Sequence, residues 1–104
     1  MRSSTDSIVI PLDVETARRA VHAALTGLPR VTSVYVGVSV VEARTRMNLW
    51  SWGEAIHCRL WPENGGTRVD VESRSIVPMT IVDYGTNRDN VRLLMTVLGG
   101  ALIR

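Results

Sequence analysis

The sequence predicts an α+β domain: an antiparallel sheet of about five strands with two helices on one face, in the order β-α-β-β-β-β-α. Three observations carry this prediction. Residues 49–77 alternate as a long hairpin around Asn64-Gly65, a second turn near Asn48-Leu49 places its strands on the same apolar face, and amphipathic helical patterns flank the sheet region on both sides.

Asn-Gly between strand-like runs is the strongest short-range signal for a two-residue turn with positive φ at both central positions. Centring the turn there pairs Leu60 with Val69, Cys58 with Val71 and Ile56 with Ser73 on an apolar face. Trp61–Arg68, Arg59–Asp70, His57–Glu72 and Ala55–Arg74 fall on the other face, which alternates in charge. A slip of one residue would turn every side chain over, and Gly66 offers a bulge that would cause one.

Residues 1–7 are a polar, frayed start. Residues 8–12 form a short strand closed by Pro11. Asp13 caps a helix over 14–27, whose apolar set is Ala17, Ala20, Val21, Ala24, Leu25 and Leu28, with Arg18, Arg19 and His22 on the wet side. Residues 31–36 and 38–47 are β-branched strands bent at Gly37. The turn at Asn48-Leu49 pairs Met47 with Trp50, Thr45 with Trp52, Ala43 with Glu54 and Val41 with Ile56. Residues 78–85 connect, with strand character at 80–82. A second helix is capped by Thr86 or Asn87, buries Val91, Leu94, Met95 and Leu98, with Leu102 as a further candidate, and ends its regular part at Gly99-Gly100.

A chain of 104 residues is one domain, 1–104. It can bury roughly 60–70% of its unfolded surface without a disulfide or metal staple. One cysteine excludes an internal disulfide and gives no metal-ligand spacing. No signal-peptide pattern is present and no apolar run approaches the ~20 residues of a membrane helix, so a soluble, cytoplasmic protein with no membrane partner is expected. All twelve basic residues are arginine. They are scattered among acids, which reads as GC-rich coding more than as a phosphate-binding stripe.

Glu54 is the unusual residue, a carboxylate on the core face beside Ala43 and Ser75, with Thr45 and Ser73 as diagonal neighbours. Three placements are open: an acceptor for N–H groups at the start of the second helix near Asn87, an acid facing a ligand, or an outward position if Gly53 is a bulge. Trp50 and Trp52 share the core face, filling it or lining a cavity. His57 and Cys58 point to opposite faces and cannot form a nucleophile–base pair. There is no phosphate loop or nucleophile elbow, no cofactor is expected, and an enzyme is not expected.

The connectivity is similar to that of TATA-binding-protein repeats and of the helix-grip lipid-binding domains. Ser51-Trp52-Gly53-Glu54, the Gly66-Thr67-Arg68-Val69 strand start followed by Ser73, and Asp83-Tyr84-Gly85-Thr86-Asn87-x-x-Asn90-Val91 resemble a family of small uncharacterised bacterial α+β domains over residues 49–98. That resemblance implies no activity, and it implies that Glu54 and the 83–90 segment belong together. The expected function is binding of a small apolar ligand between the sheet and the C-terminal helix, at Trp50, Trp52, Glu54, Ser75, Tyr84 and Asn87. Alternatives are a protein-interaction or homo-oligomeric module using a sheet edge or the 101–103 tail. Weaker again is nucleic-acid binding by Trp61, Arg59, Arg68 and Arg74 on the outer face.

Overall fold

The computed structural model describes residues 3–46, 53–76 and 86–102. Strand β1 (Ser3–Ile10) leads to helix α1 (Val14–Thr26), four strands follow, β2 (Val31–Val36), β3 (Val40–Thr45), β4 (Glu54–Glu63) and β5 (Gly66–Ser75), and helix α2 (Thr86–Leu102) closes the order. The sheet runs β1-β5-β4-β3-β2 with every neighbour antiparallel. Inward residues of the sheet, among them Val41, Ile56, Leu60, Val69 and Val71, pack against Ala17, Val21 and Leu25 of α1 and Val91, Leu94 and Leu98 of α2. Burying a side chain of this size contributes roughly 1.5–3 kcal/mol.

The β4–β5 hairpin has the expected register throughout, from Glu63↔Gly66 to Glu54↔Ser75. Asn64 (φ 47°) and Gly65 (φ 79°) both lie in the left-handed region that this turn requires. Gly66 makes no bulge. A Cβ there would meet the Ile10 carbonyl oxygen at 2.4 Å, so its glycine serves the close approach of the end of β1.

Asp13 caps α1 as expected, its carboxylate accepting from the Thr16 N–H at 3.3 Å. Hydrogen bonds from the Thr16 side chain and backbone hold the Asp13 carboxyl below the usual carboxylate range. Ala17, Val21, Ala24, Leu25 and Leu28 are buried, while Ala20 is only half-buried at the edge of the stripe.

Four expectations need correction. First, β1 begins at Ser3, because residues assigned to a frayed start pair along β5 from Ser3↔Arg74 to Ile10↔Thr67. Backbone pairing specifies this polar strand, so the hydrophobic pattern could not show it. Second, the β3–β4 register is displaced by two: Val41 faces Cys58 and Ala43 faces Ile56. A two-residue shift preserves which face is inward. β3 also spans only Val40–Thr45. Third, Thr86 and Asn87 lie within the first turn of α2. Fourth, α2 continues through Gly99-Gly100 to Leu102. Docking of Leu94 and Leu98, both essentially inaccessible, outweighs the ~1 kcal/mol each glycine costs a helix. The expected pairings of Met47, Trp50 and Trp52, the strand character at 80–82 and the connection 78–85 lie outside the described residues.

Candidate functional site

The inner face of the sheet is apolar along most of its length and polar at one end. There, Thr45 closes β3, Glu54 opens β4 and Ser73 and Ser75 close β5, all buried. The first turns of α2 cover them with Asn87, fully buried, and Asn90. Arg30, just before β2, reaches in from the side with its side chain 29% exposed.

These groups form one directed network. Arg30 donates to Glu54 Oε1 at 3.2 Å and to Asn90 Oδ1 at 2.7 Å. The Asn90 amide donates to Glu54 Oε1 at 3.2 Å and to Ser73 Oγ at 3.0 Å. Ser73 donates to Asn87 Oδ1 at 2.8 Å, and Asn87 Nδ2 donates to Ser75 Oγ at 3.1 Å. Thr45 Oγ1 both donates to Glu54 Oε1 at 3.0 Å and accepts from the Glu54 N–H at 2.7 Å. These two hydrogen bonds between Thr45 and Glu54 fit the displaced β3–β4 register, which continues to place Thr45 beside Glu54. Buried charge is tolerable only when paired and hydrogen-bonded. Glu54, with an arginine, two hydrogen-bonding side chains and the positive end of α2 around it, meets that condition.

Of the three placements open for Glu54, the inward acceptor near the start of α2 is the one observed. The α2 group holding it is the side chain of Asn90; Asn87, the residue expected there, reaches Ser73 and Ser75. Gly53 does take a positive φ (95°), but Glu54 is 2% exposed. Of the expected ligand-binding residues, Glu54, Ser75 and Asn87 are brought together, whereas Trp50, Trp52 and Tyr84 lie outside the described residues. Sequence reasoning missed Arg30, which approaches Glu54 from 24 residues away and carries no local signal. It undervalued Asn90, visible only as part of the second motif.

Other candidates separate cleanly. His57 lies on the outer face opposite Glu72, as expected, but its imidazole contacts Glu42 of β3 (Nδ1–Oε1 3.0 Å), while Glu72 is engaged by Arg74 at 3.2 Å. The Arg68 guanidinium, opposite Trp61 in the expected register, lies over its ring at 5.8 Å and also bonds Asp70 at 2.9 Å. That bond raises the Arg68 pKa further. Arg44 and Arg74 likewise face acids, Glu42 and Glu72. Among the described residues, no three His, Cys, Asp or Glu side chains are grouped to hold a metal ion, and no helix is long and apolar enough to cross a membrane.

Cys58 faces inward, fully buried, and burial pushes its thiol pKa from 9.0 up to about 12. The unfolded thiol ionises first as pH rises, so this contribution to stability is complete below pH 9 and is lost progressively toward pH 12. Wild-type stability should therefore fall above pH 9 by up to ~1.4 kcal/mol per pH unit relative to Cys58→Ala. Urea titrations of both proteins from pH 8 to 10.5 measure it; parallel pH profiles would contradict the buried thiol.

Five antiparallel strands packed against a long C-terminal helix, with a shorter helix after the first strand, define a helix-grip fold. No protein-family model and no curated protein matches the sequence. Among solved structures, the chain is similar to a START superfamily protein from Mycobacterium smegmatis (TM-score 0.68, 11% identity, 96% of each chain covered). It is similar also to the Aha1 dimer from Colwellia psychrerythraea (0.66, 13% identity, 99% of this chain and 98% of that one). A third likeness is to Ara h 8.0201 (0.57, 7% identity, 98% and 97%). At these identities the likeness is one of fold.

Proposed function

We propose that the protein is a non-enzymatic binding domain that holds a small apolar ligand between the curved sheet and α2. The observation that carries this reading is the composition of the inner wall. Val41, Ala43, Ile56, Cys58, Val69 and Val71, closed over by α1 and α2 in this structure, form an apolar surface that ends in a compact polar group, so a ligand would enter by displacing side chains of α2. Small-molecule sites have this make-up, an apolar wall with few convergent polar groups that orient the ligand. Ser75 and Asn87, at the far end of the hydrogen-bond chain from Arg30, would meet the ligand's polar end. Trp50, Trp52 and Tyr84 would supply aromatic lining, and Glu54 would fix the asparagines. The helix-grip architecture, familiar from lipid-binding domains, supports the reading by analogy. Glu54 and Asn90, one from each of the two sequence motifs, are joined by a hydrogen bond, which supports the reading that the two segments belong together.

The absence of catalysis in this proposal rests on the opposed faces of His57 and Cys58 and on the engagement of Glu54 by Arg30 and Asn90. Native mass spectrometry of the purified protein, followed by denaturing extraction, tests the reading. An apolar adduct released on denaturation is the expected result. A clean mass, together with no saturable uptake of a fluorescent fatty acid, would overturn it.

A further inference from the structure

The two edges of the sheet differ in a way that the ligand reading does not use. An edge strand presents unpaired N–H and C=O groups, and proteins usually guard such edges with charge, proline or a bulge. β1 is guarded: Asp6 lies at its middle, and Arg88 and Arg92 of α2 line the adjoining groove. β2 reads Val-Thr-Ser-Val-Tyr-Val, with no charged residue and no proline. Its one irregularity falls between Val31 and Ser33, leaving Ser33 to Val36 in regular register with β3. Tyr35, Val36 and the adjoining Val38 are 67%, 44% and 87% exposed.

We infer that β2 is a self-association edge that pairs antiparallel with β2 of a second copy, centred on Tyr35. Gly37 donates to the Val40 carbonyl at 2.7 Å. By the alternation of an antiparallel ladder, Val34 and Val36 therefore turn their N–H and C=O groups away from β3, off the edge. Placing Tyr35 opposite its counterpart sets each Val34 against the other copy's Val36, so the outward groups of both are exchanged and the bulge stays outside the contact. Tyr35 pairs with Glu42 of β3 and so lies on the outer face, where the two phenol rings meet across a closely spaced pair. The inward side matches valine with valine. A second copy is the fitting occupant because the pairing about Tyr35 satisfies the same outward groups on both strands, the strand carries no charge to repel its like, and the net charge of +2 adds little repulsion.

Sedimentation velocity across a concentration series tests this. Wild-type protein is expected to show a reversible monomer–dimer equilibrium. Tyr35→Lys and Tyr35→Glu should each raise the dissociation constant at least about tenfold, because like charges directly opposite are destabilising. An equimolar mixture of the two should recover a heterodimer, a result that misfolding cannot imitate. Val36→Pro, which removes an outward N–H, should also weaken association while unchanged far-UV circular dichroism reports the fold. A wild-type chain that stays monomeric at high micromolar concentration overturns the inference. So does a dimer indifferent to both Tyr35 substitutions, or a charge pair that fails to reassociate.

Discussion

Glu54→Ala is expected to destabilise the protein by about 2–3 kcal/mol, most of it through the partners left behind. Thr45 and Asn90 are buried and would each lose their bond to Oε1. Arg30, with its side chain 29% exposed, can turn toward water, which keeps the cost below the ~3–5 kcal/mol typical of a broken, fully buried pair. Arg30→Ala leaves a carboxylate that is 2% exposed without its cation, so its cost should equal or exceed that of Glu54→Ala. Glu54→Gln keeps an acceptor of the same shape and should lose only about 1 kcal/mol. Urea unfolding with an unchanged slope gives all three values. A loss under about 0.5 kcal/mol for Glu54→Ala would be the behaviour of a surface residue and would contradict the network.

Gly53→Ala should cost about as much, on the order of 3 kcal/mol, by a purely steric route. The backbone there has φ 95°, where an L side chain is strained, and a Cβ would stand 2.4 Å from the Thr45 carbonyl oxygen. The obstacle is backbone, so it cannot swing aside. Relief requires β3 and β4 to separate where Thr45 and Glu54 exchange their hydrogen bonds, so the substitution should also loosen the Glu54 network. Gly65→Ala is the control. Its φ is also positive (79°), but nothing lies within 4 Å of the added Cβ. Only the conformational penalty of roughly 1 kcal/mol should appear. Similar losses at the two sites would mean that the approach of Gly53 to Thr45 is not rigid.

The hairpin was fully legible because its register has a local cause. Asn64-Gly65 sets the turn, and alternation carries the pairing outward from Leu60↔Val69 to Glu54↔Ser75. The helices were legible through their buried stripes and the Asp13 cap. The β3–β4 register was legible only in parity. Alternation with period two says which side chains face inward, but a displacement by two residues leaves that pattern intact.

By itself, then, the sequence determined the α+β class, the order of elements along the chain and the inward face of the hairpin, because turn chemistry and hydrophobic periodicity act between near neighbours. The direction of Glu54 stayed open until the structure placed it at 2% exposure. Tertiary structure alone decided the rest. β1 extends to Ser3 because β5 offers it a ladder, and α2 passes Gly99-Gly100 because Leu94 and Leu98 are docked. Arg30 and Asn90 reach Glu54 from 24 and 36 residues away because the fold closes those loops. Such contacts depend on chain closure over long separations, and no local pattern of residues records it.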